Sequence, residues 1–165
     1  MDAEMLAERA WEMRVSLMRV AMSIVHNNAD AEDAVATALM NAYRRADSLK
    51  DEEKLQPWMM RIVANSCYDL LRKKKREIPS ENLEHYAEEA VFVHAEGSVF
   101  ETIGLLPEPY QRVMVLFYYE GFKAREIAQI LSMPVSTVLV QLSRARGKLR
   151  KLMEKEVEQY EKQGV

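Results

Sequence analysis

The chain has 165 residues, 48% of them hydrophobic and 30% charged, with a formal net charge of −3. That length holds one ordinary domain or two small ones and excludes a large multi-domain enzyme, and the composition is that of a folded soluble protein rather than a disordered tail. The longest apolar run is the seven residues from Val113 to Tyr119, where a membrane span needs about 20. No secretory leader is recognisable at the acidic N-terminus, so a cytoplasmic location is expected. The lone Cys67 excludes an intramolecular disulfide, and His26, His85 and His94 lack ligand spacing, so neither metal nor cofactor is expected.

Five glycines and five prolines leave little material for the turns of an all-β chain, and helical periodicity runs throughout. Leu6, Ala10, Met13, Leu17, Ala21 and Ile24 predict one helix that His26-Asn27-Asn28 ends. Asp30 suits the N-cap of a second helix with Ala34, Val35, Ala38, Leu39, Ala42 and Ala46 as its apolar stripe. After a polar loop from Asp47 to Gln56, Pro57 is expected at N1 of a third helix. Its apolar face holds Met59, Ile62, Val63, Ser66, Cys67 and Leu70, and its end is Arg72-Lys73-Lys74-Lys75-Arg76.

Charge divides the chain. Residues 1–76 hold thirteen cations against twelve carboxylates, residues 77–100 hold six carboxylates and no cation, and residues 101–165 hold ten cations against eight carboxylates. The expectation is an all-α protein of two small helical domains, 1–76 and 98–165, joined by an acidic flexible linker over 77–97. Ser98 and Glu101 fit a capping box that starts a helix through Phe100, Ile103 and Leu106. Pro107 and Pro109 punctuate the chain before a helix of Val113, Leu116 and Phe117, which Gly121 can terminate.

From Phe122 to Leu152 the pattern is a short helix (Ala124 to Leu131), a turn at Ser132-Met133-Pro134 and a longer helix from about Ser136, the spacing of a helix-turn-helix. Val138, Leu142, Ala145, Leu149 and Leu152 make the buried stripe of the second helix, which leaves Ser136, Val140, Ser143, Arg144 and Gly147 opposite. Small residues with one arginine and one exposed valine suit a major groove: Arg144 for guanine or phosphate, Gln141 for adenine, Val140 for a thymine methyl. Periodicity alone fits a plain antiparallel helix pair as well. On the third helix Arg61, Asn65, Asp69 and Arg72 form one polar ridge; Trp58 at its start can stack on a base or join the core. The cationic run from Arg72 can meet nucleic acid or simply complement the helix dipole. Catalysis has no support: phosphate loop, zinc motif and nucleophile–histidine pair are all missing, and Cys67 on an apolar stripe reads as a buried thiol.

Taken together, these segments resemble a bacterial sigma factor of the extracytoplasmic-function type within the sigma-70 family. Asp30-Ala-Glu-Asp33 through Tyr43-Arg44-Arg45 is similar to the region 2 helix that binds the clamp helices of the polymerase β′ subunit. Pro57-Trp58-Met59-Met60-Arg61-Ile62-Val63-Ala64-Asn65, with Asp69 and Arg72, resembles the helix that opens and reads the minus-10 element. Leu106-Pro107, Glu126-Ile127-Ala128, Thr137-Val138 and Arg144-Ala145-Arg146 match region 4, which reads the minus-35 element. The resemblance implies promoter-specific initiation on core RNA polymerase (β′ and β), promoter DNA as partner, and control by an anti-sigma factor, often membrane-bound. It implies minus-10 contacts from Lys54, Gln56, Arg61, Asn65, Arg72 and Lys73, minus-35 contacts from Ser136, Thr137, Val140, Gln141, Ser143 and Arg144, and polymerase contacts from Asp30, Asp33, Thr37 and Asn41. The sequence departs from the pattern at Ala36 and Thr37, and again at Leu139, Val140 and Gln141, where apolar and amide groups replace charge. The competing readings are a free-standing helix-turn-helix regulator and a helical adaptor without DNA binding.

Overall fold

The computed structural model describes residues 1–77 and 99–164. The expected acidic linker and the Ser98 cap lie outside the described residues. Every regular element among the described residues is helical: α1 (Ala3–Glu12), α2 (Arg14–Val25), α3 (Asn28–Arg44), α4 (Leu55–Glu77), α5 (Val99–Ile103), α6 (Glu108–Met114), α7 (Ala124–Leu131) and α8 (Val135–Lys162). None of these helices is long and apolar enough to cross a membrane.

The expected single N-terminal helix is two helices. Met13 at φ −87°, ψ 0° separates them, and the stripe survives the break, with Leu6, Ala10, Leu17, Ala21 and Ile24 all buried. His26 ends α2 in the left-handed conformation at φ 55°, its N–H donating to the Met22 carbonyl. Asn27, not Asp30, caps α3: its side chain accepts from the Asp30 N–H at 3.0 Å. The cap thus lies three residues earlier than the acidic signal indicated, because Asn27 takes the extended conformation that a cap needs. Ala31, Ala34, Ala38 and Ala42 are fully buried, small enough for α3 to lie close against α4, whereas Leu39 of the expected stripe reaches the surface. The polar loop holds two 3-10 turns, Ala46–Ser48 and Glu52–Lys54. The second runs straight into α4, so Pro57 sits inside the first turn rather than at N1, where its missing N–H is equally harmless.

In the second module Gln111 stitches the corner between α5 and α6, its amide donating to the Gly104 and Leu106 carbonyls at 3.0 and 2.7 Å. After α6 the backbone widens into a π-helical turn over Val115–Tyr119, and Gly121 follows at φ 73° as the sequence predicts. The helix-turn-helix is formed by α7 and α8. Ser132 caps α7 in the left-handed region at φ 54°, and the Met133 N–H returns to the Ala128 carbonyl at 2.9 Å.

The two modules pack on each other. α6 and the π turn lie against α2, and α7 lies against α4. α2 is consequently buried all round from Val20 to His26. On α4, Ile62, Ser66, Met59, Val63, Cys67, Met60 and Ala64 are buried, an arc of about 200° at 100° per residue, whereas one-sided packing needs little more than about 100°.

Candidate nucleic-acid interface

Only one side of α4 is left to solvent, and it carries the ridge read from the sequence: Arg61, Asn65, Asp69 and Arg72 are all exposed, as are Lys54, Gln56 and Lys73. Arg72 and Asp69, one turn apart, form an ion pair that orders the guanidinium along the ridge. The five cations at the end of α4 have different surroundings. Lys74 turns inward to the carboxylate of Asp30, Arg76 Nε donates to the Arg72 carbonyl at 3.4 Å, and Lys73 and Lys75 point outward. Trp58 is half-buried and packs against the core. With Lys54, Arg61, Glu126 and Gln129 it also lines a hollow of about 370 Å³.

On α8 the burial follows the expected stripe: Val138, Leu142, Ala145 and Leu149 are buried and Leu152 half-buried. Ser136, Val140, Ser143, Arg144 and Gly147 are all exposed, while Thr137 and Gln141 are half-buried at the edges. The Gln141 Oε1 is buried without a hydrogen-bond partner, so this amide faces the flank. Leu139, at 54% exposure, adds a second apolar side chain to the surface beside Val140. Arg146 lies with its guanidinium 4.8 Å from the Phe117 ring centre, fastening α8 to the π turn.

The polymerase residues expected on α3 separate. Asp33 and Thr37 are exposed and Asn41 half-buried, but the Asp30 side chain is only 3% exposed and is held by Lys74. Asp30 therefore anchors the end of α4 to the start of α3 and offers no surface. Met40 falls between Asp33 and Thr37 on the same helix face and is 58% exposed; Tyr43 and Trp11 are comparably open. Trp11, Leu39 and Tyr43 border an apolar groove of about 280 Å³ between α1 and α3. Met40 and Tyr43 were not among the residues expected on this face, although their positions off the alanine stripe mark them as outward-facing.

Cys67 is fully buried, and burial, reinforced by the Asp30 charge, pushes its thiol up to about 12. No group of three or more metal-ligating side chains occurs among the described residues.

Residues 12–77 match the sigma-70 region 2 family and residues 97–149 match the sigma-70 region 4 family. The α4 ridge therefore lies in a region 2 module and the α8 face in a region 4 module. The chain belongs to the extracytoplasmic-function sigma factors of the sigma-70 family. It is similar to the sigma factor SigW of Bacillus subtilis, 32% identical over 74% of each chain. A sigma-E factor of Streptomyces avermitilis is 31% identical, with 84% of this chain and 79% of that one covered. Among solved structures it resembles the sigma factor RpoE in complex with the anti-sigma factor NepR from Bartonella quintana. There the TM-score is 0.71 and the identity 26%, over 89% of this chain and 97% of that one. It also resembles CnrH in complex with the cytosolic domain of CnrY, with a TM-score of 0.63 and 25% identity over 93% and 90% of the two chains.

Proposed function

We propose that this sigma factor docks on core RNA polymerase and directs initiation at promoters whose minus-10 element is read by α4 and whose minus-35 element is read by α8. The observation that carries the reading is the pair of solvent-facing surfaces in family order: the Arg61–Asn65–Arg72 ridge in region 2 and the Ser136–Val140–Ser143–Arg144 face in region 4. Arg61, Asn65, Arg72 and Lys73 meet the opened strand with Lys54 and Gln56 from the loop before α4. Arg144 pairs with guanine or phosphate, Val140 meets a thymine methyl, and Ser136, Thr137, Ser143 and Gln141 fill the groove around them.

Asp33, Thr37 and Asn41, joined by Met40 and Tyr43, form the polymerase-docking face of α3, with β′ and β of the core enzyme as partners. Polymerase performs nucleotidyl transfer and the sigma factor chooses the start site, so the chain itself is no enzyme and acts in the cytoplasm without a cofactor. Two modules, 1–76 and 98–165 with a connector over 77–97, each bind weakly, and their linkage raises effective concentration without new contacts. An anti-sigma factor as regulator is supported by the relatives solved with such partners. Purified chain mixed with core polymerase and a promoter library is expected to give template-selective RNA starts that core polymerase alone lacks; no selective start refutes the reading.

A further inference from the structure

The packing of the two modules sets the DNA-reading surfaces in an arrangement that cannot read a promoter. Backbones of α4 and α7 approach within 8 Å. α7 is about 12 Å long and the three-residue turn adds at most about 10 Å, so α8 begins within about 30 Å of α4. Elements named minus-10 and minus-35 lie about 25 base pairs apart, about 85 Å at 3.4 Å per pair. The same packing closes the hollow beside α4: Lys54, Trp58 and Arg61, the groups positioned to take an unpaired base and its phosphate, share it with Glu126 and Gln129 of α7. Glu126 already serves α7 by accepting from the Lys123 N–H at 3.0 Å, so its carboxylate stays fixed where the incoming phosphate would be repelled.

A polar fastening holds the modules together. Arg19 of α2 donates to Glu120 at 2.8 Å, and the Glu120 side chain is only 3% exposed. The same guanidinium lies 5.0 Å from the Tyr119 ring centre and 6.0 Å from that of Phe100. Arg112 lies 5.7 Å over Tyr68 of α4.

Resting on the promoter-reading function proposed for α4 and α8, we infer that the Arg19–Glu120 latch and the seating of α7 on α4 hold the polymerase-free chain in a closed, DNA-excluding state that must open for promoter engagement. A buried carboxylate deprived of its cation is strongly unfavourable, so loss of Arg19 drives Glu120 toward water and the modules apart. If the closed state holds about 90% of the population, opening raises apparent DNA affinity about tenfold.

The test uses the full chain without polymerase as wild type, Arg19→Ala, Arg19→Ala/Glu120→Gln, and Gln129→Lys. The last is a surface change that sets a third cation against Lys54 and Arg61 and leaves the core untouched. Shape is read by small-angle X-ray scattering, and binding by anisotropy of a fluorescein-labelled, 20-nucleotide single-stranded DNA of randomised sequence. Arg19→Ala and Gln129→Lys are both expected to expand the particle and tighten DNA binding about tenfold, and the double variant, which strands no charge, returns toward wild type. Wild-type scattering that is already expanded overturns the inference. So does a Gln129→Lys protein that keeps wild-type shape and affinity, or one that expands with no gain in affinity, whatever the fate of Arg19→Ala. Polymerase-dependent transcription by the wild type separates the two levels: selective starts alongside any of those results sink the latch alone, and no selective start sinks the functional reading beneath it.

Discussion

Asp30 stands in a motif whose family resemblance points to polymerase contact, yet the structure buries its carboxylate against Lys74, and the two roles make opposite demands on a variant. The Lys74 side chain is 26% exposed and that of Asp30 only 3%, so the partners are not equivalent. Asp30→Asn removes the charge but leaves Lys74 able to swing its ammonium into water, forfeiting one charge-assisted hydrogen bond and a favourable first-turn charge, about 1–2 kcal/mol. Lys74→Met instead strands a buried carboxylate whose Oδ2 has no hydrogen-bond partner, about 3–5 kcal/mol. The expected asymmetry of about 2 kcal/mol corresponds to about 4–8 °C in Tm for a chain of this size. The double variant should be more stable than Lys74→Met alone, because it leaves no unpaired charge. Urea unfolding measures all three. Titration with core polymerase should show Asp30→Asn within about twofold of wild type, the scale of noise beside the tenfold that about 1.4 kcal/mol produces. The placement of Asp30 as an internal anchor is refuted if Lys74→Met is no more destabilising than Asp30→Asn, or if Asp30→Asn loses polymerase affinity while keeping full stability.

Met40→Glu sets a carboxylate on the exposed α3 face beside Asp33 and should weaken polymerase binding by about tenfold, about 1.4 kcal/mol, with unchanged unfolding; equal affinity would remove Met40 from that face. Arg144→Ala should reduce minus-35 duplex binding by about 1–3 kcal/mol and Val140→Lys should impair it by replacing an apolar contact; in a duplex-binding assay, a silent alanine together with a harmless lysine refutes the facing of α8. Gly147 lies mid-helix with nothing within 4 Å of an added Cβ, so Gly147→Ala should stabilise the chain by about 0.8–1 kcal/mol in thermal unfolding. The pKa of His26 is lowered below its ordinary 6.5, chiefly by burial, with Glu108 opposing and Arg112 reinforcing the shift. Unfolding lets it bind a proton more readily, so its contribution to stability is complete above pH 6.5 and is lost as pH falls from there toward the lowered value. Urea unfolding at pH 7.5 and 5.5 should show that slope, and His26→Gln should flatten it.

Helix content, the stripes that bury each module and the turn at Ser132–Pro134 were legible in the residues because each is a local matter of periodicity, capping and backbone preference. The exposed α4 ridge and α8 face were legible for the same reason: a helix with a known buried side has a known open one. Locality was also where such reading failed. Two cap candidates stood within four residues, and only the backbone conformation chose Asn27 over Asp30; the carboxylate of Asp30 was then claimed by Lys74, 44 positions away. The π turn over Val115–Tyr119 left no mark in the apolar spacing, yet the residue it adds rotates the downstream chain and delivers Glu120 to Arg19, 101 positions upstream. The sequence by itself determined two helical modules and their outward surfaces, since 3.6 residues per turn sets the sides of a helix wherever it lies. Tertiary structure alone decided that α4 is buried on a second side and that the modules close on each other, because burial and charge pairing between distant segments depend on where the folded chain brings them.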